Sequence, residues 1–419
     1  MLKLGVALLA AGAAAGVGAN VAAAGVAAAP DLPTLAAAAR SILGADQGVY
    51  IESSDGSVLL QQAATRPVHP ASVSKVPTTL ALLRRLGAEH RFVTTFASTG
   101  VIRDGILDGD LRVTNDGDPY FVDENALLVA QRLRELGVRQ ITGELRVDGD
   151  FLFDWQSEGA AQRLRAALSG AAPPAAWAAL RSVLAAGIEP PALQFQAARM
   201  APTSVVAGPN AMRPLVVHRS QPLLALAKSL NDYSNNIFKP LADAAGGVAE
   251  VESIARAAVP AEVRDEITLG DGAGTDPRNR LSPRAAVCLL RALEQELAQS
   301  GHALTDILPV SGVDAGTLHA RLNAPGEAGR VVGKTGTFGD YGASALIGAI
   351  ATSDRGTVYF AILDHGIAVP EARRRQDRFV RALLGGLNSV PWPYQPDARP
   401  AVARAEAVAM TTATTPASP

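Results

Sequence analysis

The sequence lacks several features that mark common classes of protein. It contains one cysteine among 419 residues, Cys288, so no disulfide can form within the chain. Its formal net charge is only −2, which gives no sign of the basic surface that nucleic-acid binding needs. No histidine, cysteine and acidic residues are spaced as in a zinc site, and no Gly-x-Ser-x-Gly sequence surrounds a serine. We therefore predict no metal, no cofactor and no nucleic-acid partner, and find little support for a Ser-His-Asp hydrolase.

The N-terminus is an almost uncharged run, rich in alanine, glycine and valine, that follows Lys3 and continues to Ala29. An early positive charge, a long apolar run and Ala-x-Ala sites before Pro30 predict a signal peptide over residues 1–29. The run is also long enough to span a bilayer, so a retained anchor with loose membrane association stays as the alternative. Either way, we expect an exported protein that acts in the periplasm or outside the cell.

The pattern of apolar residues predicts a mixed α/β (α+β) fold. Strand patterns lie near both ends of the chain and helical patterns lie between them, which suggests one sheet built from both termini and covered by helices. The middle of the chain has short strands separated by turns and predicts an inserted β-containing domain. The predicted divisions are a first part over residues 30–92, an insert over 93–220, a second part over 221–392 and a disordered tail over 393–419. The predicted helices cover residues 35–42, 72–86, 124–136, 223–241, 283–298 and 371–387, and a further helical stretch over 162–186 is interrupted by Pro173-Pro174.

Three short motifs contain the residues that could perform chemistry: Ser72-Val-Ser-Lys75, Ser234-Asn-Asn236 and Lys334-Thr-Gly336. Each motif alone has an ordinary structural explanation, as a helix cap, a turn cluster or a hairpin turn. Together, and in this order, they form the set that penicillin-recognising serine enzymes use. The combination therefore favours an acyl-transferring serine enzyme.

The chemistry of such an enzyme gives each motif residue a role. Lys75 lies three residues after Ser72 and on the same face of the predicted helix, so a desolvated Lys75 could activate the Ser72 hydroxyl as a nucleophile. Ser234 could relay a proton to the leaving amine, and Asn236 could hold the amide of the acyl group. The expected seat for a terminal carboxylate is the strand with Lys334, Thr335, Gly336 and Thr337.

Across about residues 35–390 the chain resembles the class C low-molecular-mass penicillin-binding proteins, the D-alanyl-D-alanine carboxypeptidase/endopeptidase family. The similar segments are 70–75, 270–274, 279–283 and 308–318, with further similar segments at 111–119, 141–145 and 219–223. This resemblance implies a β-lactamase/transpeptidase-like sheet with helices on both faces, interrupted by an inserted domain. It also implies a serine peptidase that acts on peptidoglycan stem peptides and is trapped by β-lactams. The alternatives are a β-lactamase and a non-catalytic peptidoglycan-binding protein with the same fold.

Overall fold

The computed structural model describes residues 32–184, 192–201, 212–232, 237–339 and 342–410. The predicted signal peptide therefore lies outside the described residues. In chain order the described elements are α1 (Leu32–Ile42), β1 (Gly48–Ser53), β2 (Val58–Gln62), α2 (Lys75–Leu86), β3 (Val93–Ser98), β4 (Val101–Arg103), β5 (Ile106–Asp108), β6 (Leu111–Asn115), α3 (Asp123–Glu135), β7 (Gln140–Asp148), α4 (Ala160–Leu168), α5 (Pro174–Val183), β8 (Gln194–Ala201), β9 (Arg213–Arg219), α6 (Leu223–Asp232), α7 (Phe238–Ala244), α8 (Val248–Ala257), β10 (Ile267–Thr268), β11 (Arg280–Leu281), α9 (Pro283–Gln299), β12 (Val331–Phe338), β13 (Ala343–Ala351), β14 (Thr357–Asp364), α10 (Val369–Gly386) and β15 (Glu406–Ala409).

The first sheet is assembled from both ends of the chain. Its strand order is β12-β13-β14-β1-β2, and every neighbouring pair is antiparallel. The N-terminal hairpin β1-β2 thus completes a sheet whose other three strands come from the C-terminal part. This arrangement confirms the sheet predicted from the strand patterns at the two ends.

Helices cover both faces of the first sheet. Along β13, Ala345 and Ile347 belong to a core that includes α2 and α9, whereas Leu346 and Ile350 belong to a core that includes α1 and α10. Side chains of a strand alternate between the two faces of its sheet, so both faces of β13 are apolar because both are covered. The predicted fold class, a sheet with helices on both faces, is confirmed.

The second sheet is formed by residues between the two parts of the first. Its path is β15-β9-β3-β6-β7-β5-β4, with β8 paired to β7, and it mixes parallel and antiparallel neighbours. Helices α3, α4 and α5 pack on it around a separate core that contains Phe96, Phe121 and Leu164. The boundaries predicted for an inserted domain, 93–220, stay a prediction, because membership of a sheet does not by itself define a domain.

The disordered tail predicted over residues 393–419 is wrong for residues up to 410. Strand β15 pairs antiparallel with β9, and Ala407 lies opposite His218. Val402 and Ala407 are buried in the core of the second sheet, and the Ala407 carbonyl accepts a hydrogen bond from Arg132 Nε at 2.9 Å. The edge of β9 offers unpaired backbone groups, and their pairing with β15 orders this short segment. Residues 411–419 lie outside the described part of the chain.

Several predicted helices have other bounds in the structure. The interrupted stretch predicted over 162–186 is observed as α4 and α5, which are separated at the predicted Pro173-Pro174 break. The helix predicted from Ser72 begins at Lys75, after a 3-10 turn over Ala71–Ser74. Pro77 is therefore the third residue of α2, where a missing N–H costs no helical hydrogen bond. The single helix predicted over 223–241 is replaced by α6, which ends at Asp232, and α7, which begins at Phe238. Within the described ranges, no helix is both long and apolar enough to cross a membrane.

Candidate active site

Ser72 lies in a tight, buried turn at the entrance to α2. Its residue is 5% exposed, and the preceding Ala71 has a φ of +48°, a backbone conformation that a residue with a Cβ rarely adopts. The N–H of Lys75 bonds to the carbonyl groups of Ser72 and Val73, which closes the 3-10 turn. A strained backbone that persists beside a candidate nucleophile must be held by its surroundings.

His69 is one of the residues that hold this turn. Its Nδ1 accepts the N–H of Ala71 at 3.1 Å, so Nε2 carries the proton and donates to the Asp276 carbonyl at 3.0 Å. The imidazole stacks on Phe338 with ring centroids 4.6 Å apart and an angle of 14° between the planes. Burial lowers the pKa of His69, which favours the neutral tautomer that these bonds require.

The loop over residues 270–279, which contains Asp271, packs directly against the turn that contains Ser72. Burial alone would raise the pKa of Asp271, but hydrogen bonds from Thr275, Asn279 and the Gly274 N–H lower it below its usual value. This carboxylate therefore organises the loop around itself. A Cβ on Gly274 would lie 2.0 Å from the Ala71 carbonyl oxygen, and the φ of Gly274 is +89°. Only glycine lets the loop approach the turn this closely.

Lys75 is fully buried at the first position of α2. In the described part of the chain, its Nζ has no hydrogen-bond partner, and it lies 5.0 Å from the centre of the Phe238 ring. Burial lowers the pKa of Lys75 to about 8, against an opposing effect of the Asp271 charge. A large fraction of this amine is therefore unprotonated in mildly alkaline solution, the state in which it can accept a proton.

Lys334 is the second fully buried lysine of the site. Its Nζ donates to the carbonyl of Thr335 at 2.9 Å. Burial holds the pKa of Lys334 well below its usual value, and the charge of Lys75 lowers it further, while Asp232 opposes both. The structure thus brings the two motif lysines, far apart in the chain, within electrostatic reach of each other.

Gly336 lets β12 lie directly against the turn of Ser72. A Cβ at this position would lie 2.5 Å from the Pro70 carbonyl oxygen and 3.2 Å from the Ala71 Cβ. The hydroxyl groups on either side have partners: Thr335 Oγ1 donates to Thr317 Oγ1 at 2.7 Å, and Thr337 Oγ1 accepts from Arg373 Nη2 at 2.7 Å. The predicted carboxylate seat therefore adjoins the candidate nucleophile.

The Ser234-Asn-Asn236 motif lies outside the described residues, in the stretch of chain between α6 and α7. The residue before this gap, Asp232, is firmly placed: its carbonyl accepts the Thr317 N–H at 2.9 Å. A Cβ on Gly316 would lie 1.9 Å from the same oxygen. Burial raises the pKa of the Asp232 side chain to about 7. Segment 308–318 thus connects the end of α6 to β12, through the backbone N–H and the hydroxyl of Thr317.

Sequence reasoning missed His69, Thr317 and Arg373. The segment around Thr317 was recognised by resemblance, but nothing marked the threonine itself. Lone histidines and arginines have no spacing pattern, so neither His69 nor Arg373 gave a signal. Across the described residues, no group of histidine, cysteine and acidic side chains could hold a metal ion.

Comparison with known proteins decides the family. The sequence model of the D-Ala-D-Ala carboxypeptidase 3 (S13) family matches residues 31–179 and 200–384. The chain belongs to this family. This confirms the resemblance to D-alanyl-D-alanine carboxypeptidases drawn from the motifs.

The individual proteins that this chain resembles are only distantly similar in sequence. A D-alanyl-D-alanine carboxypeptidase DacB of Haemophilus influenzae is 29% identical over 103 residues, which is 25% of this chain and 20% of that protein. A penicillin G-acylated predatory endopeptidase of Bdellovibrio bacteriovorus, solved in complex with an immunity protein, is similar with a TM-score of 0.72 and 21% sequence identity. The matched region includes 84% of this chain and 96% of the endopeptidase chain. Penicillin-binding protein 4 of H. influenzae has a TM-score of 0.62 at 19% identity, over 86% of this chain and 100% of its own. These two structures share the fold.

Proposed function

We propose that this chain is a serine D-Ala-D-Ala carboxypeptidase or endopeptidase that acts on peptidoglycan stem peptides through an acyl-enzyme on Ser72. The observation that supports this most is the state of Lys75. It is a buried amine with a pKa of about 8, without a described hydrogen-bond partner, directly after the turn that contains Ser72. Such a lysine can take the serine proton without a histidine. Membership of the S13 family supports the same reaction.

In the first step, the Ser72 oxygen bonds to the carbonyl carbon between two D-alanines while its proton passes to Lys75 Nζ. The carbonyl oxygen becomes an oxyanion and needs hydrogen-bond donors. The Gly333 N–H points out of the sheet edge to the Pro309 carbonyl at 3.0 Å. Backbone groups of a strand alternate in direction, so the N–H of Thr337, four residues later, points out of the same edge. We assign the oxyanion hole to the N–H groups of Ser72 and Thr337.

In the second step, the bond to the leaving amine breaks and that nitrogen takes a proton. The sequence assigns this relay to Ser234 and the holding of the acyl amide to Asn236. Water then cleaves the ester on Ser72, with Lys75 again accepting a proton. The strand with Lys334, Thr335, Gly336 and Thr337 would seat the carboxylate of the leaving residue.

Export is part of the proposal. Residues 1–29 would direct the chain across the membrane, so the catalytic part would meet peptidoglycan in the periplasm or outside the cell. N-terminal sequencing of the mature protein tests cleavage near Ala29. A full-length N-terminus in the membrane fraction would support the retained anchor and loose membrane association instead.

The acyl-enzyme is tested by trapping it with a fluorescent penicillin and mapping the labelled peptide. The related Bdellovibrio endopeptidase was solved in a penicillin G-acylated form, which supports the choice of this probe. We expect label on Ser72, and none after Ser72→Ala in a protein with an unchanged circular dichroism spectrum. Label on another residue would contradict the assignment. Rapid hydrolysis of nitrocefin would instead favour the β-lactamase alternative.

A further inference from the structure

Arg373 reaches the proposed carboxylate seat from a second element. It lies on α10, near the start of the helix, and its side chain is exposed. Its Nη2 donates to Thr337 Oγ1 at 2.7 Å. The guanidinium has five N–H donors, so this single bond leaves others for a ligand beside Thr337.

Arg373 forms no ion pair with any described residue. Its neighbours on the same helix are paired: Arg374 and Arg375 both bind Glu371, and Asp377 binds Arg321. No carboxylate in the described ranges lies within ion-pair distance of Arg373. The surrounding protein partly desolvates the guanidinium and so lowers the pKa of Arg373, and the Arg321 charge adds to this effect, while Asp377 opposes it. An anion bound at Thr337 would form an ion pair with this guanidinium.

Lys334 is poorly suited to supply the positive charge of the seat alone. Its Nζ already donates to the Thr335 carbonyl, and burial beside Lys75 favours its neutral form. A guanidinium, in contrast, stays protonated in proteins and binds carboxylates with two parallel hydrogen bonds. Arg373 is therefore the group next to Thr337 that keeps a full positive charge.

We propose that Arg373 is a specificity-determining residue that, together with Thr337, binds the free carboxylate of the residue released from the substrate. The inference rests on the proposed peptidase function. The ligand class is a peptide whose residue after the scissile bond has a free α-carboxylate. An amidated residue at that position is the disfavoured ligand.

The test compares an acyl-D-Ala-D-Ala peptide with its C-terminal amide. Arg373→Gln removes the charge but keeps a donor for Thr337. On the carboxylate peptide we expect KM to rise about tenfold, the scale of one lost hydrogen bond to a charged group, with kcat within about twofold. The amide peptide should react equally well with both proteins. Arg373→Lys should recover part of the carboxylate preference.

Arg378→Ala is the matched control, because Arg378 is an exposed arginine on the same helix. It should leave the ratio of the two peptides unchanged. Equal losses on both peptides with Arg373→Gln, or the same shift with Arg378→Ala, would overturn the proposal. Thermal unfolding of each variant identifies losses that come from misfolding.

A second measurement separates this inference from the proposed function. If the wild-type protein cleaves neither peptide, the peptidase proposal fails, but binding can still be measured. In a Ser72→Ala background, calorimetry should show that the carboxylate peptide binds about tenfold more weakly after Arg373→Gln. Unchanged affinity would refute the role of Arg373 whatever the activity.

Discussion

His218 should make the second sheet sensitive to acid. Its side chain is fully buried on β9 and packs edge-on against Phe121, with ring centroids 4.8 Å apart. In the described part of the chain, neither ring nitrogen has a hydrogen-bond partner. Burial lowers the pKa of His218 to about 3. Below neutral pH, His218 therefore binds a proton in the unfolded chain but not in the folded chain, so the stability of the folded state falls as the pH falls.

The size of the effect follows from the two pKa values. The unfolded histidine titrates near about 6.5, so the loss begins there and continues down to the folded pKa of about 3. Between about pH 7.5 and about pH 5 the linkage relation gives a loss of about 2 kcal/mol. His218→Phe removes the titrating group, keeps an aromatic ring against Phe121 and should abolish this part of the pH dependence.

Hydrogen exchange on peptides from β3 and β9 measures this local stability, after correction for the intrinsic exchange rate at each pH. We expect the opening free energy of the wild-type strands to fall by about 2 kcal/mol relative to the His218→Phe variant over that pH interval. His319→Phe, which replaces an exposed imidazole, should behave as the wild type. Identical pH profiles for the wild type and His218→Phe would refute the reasoning.

Three further predictions concern the site and its surroundings. Penicillin acylation should accelerate as the pH rises through the Lys75 pKa of about 8, and Lys75→Met should abolish labelling in a folded protein. His69→Phe keeps the ring stacked on Phe338 but loses the hydrogen bonds to Ala71 and Asp276, so the rate of penicillin acylation measured by stopped flow should fall about tenfold. The rate should fall less for His69→Asn, because the Asn Oδ1 can still accept the Ala71 N–H. Gly336→Ala should lower the melting temperature, because the added Cβ would collide with the turn that contains Ser72. Gly385→Ala is the control: its Cβ would lie in open space on α10, so it should raise the free energy of unfolding by about 0.5–1 kcal/mol.

The long regular elements could be predicted because their periodicity is strong. The helix predicted over 283–298 is observed as Pro283–Gln299, with Ser282 capping it through a bond from the Ala285 N–H. The strand β13 is an unbroken apolar run because helices cover both its faces. In contrast, β15 has four residues and is ordered by pairing with β9, which lies far away in the chain. No local pattern contains that information.

The candidate site also combines features that local sequence patterns indicate with features that they do not. The motifs that contain Ser72, Lys75 and Lys334 could be recognised from the sequence because the chemistry requires fixed spacings, and the structure brings the elements that hold them together. The supporting contacts were not, because they join single residues far apart: His69 and Asp276 are 207 residues apart, and Thr337 and Arg373 are 36 apart. The lowered pKa of Lys75 depends on burial by several elements, which a three-residue spacing cannot encode. The catalytic and binding roles of all the motif residues, Ser234 and Asn236 included, stay predictions.

The most direct test of the proposed function is digestion of purified muropeptides followed by mass spectrometry. We expect the wild-type protein to remove the terminal D-alanine from pentapeptide stems or to open D-alanyl cross-links, and we expect Ser72→Ala to do neither while it remains folded. Muropeptides that are bound but unchanged by the wild-type protein would contradict the account. The chain would then be a peptidoglycan-binding protein that keeps the fold without the reaction.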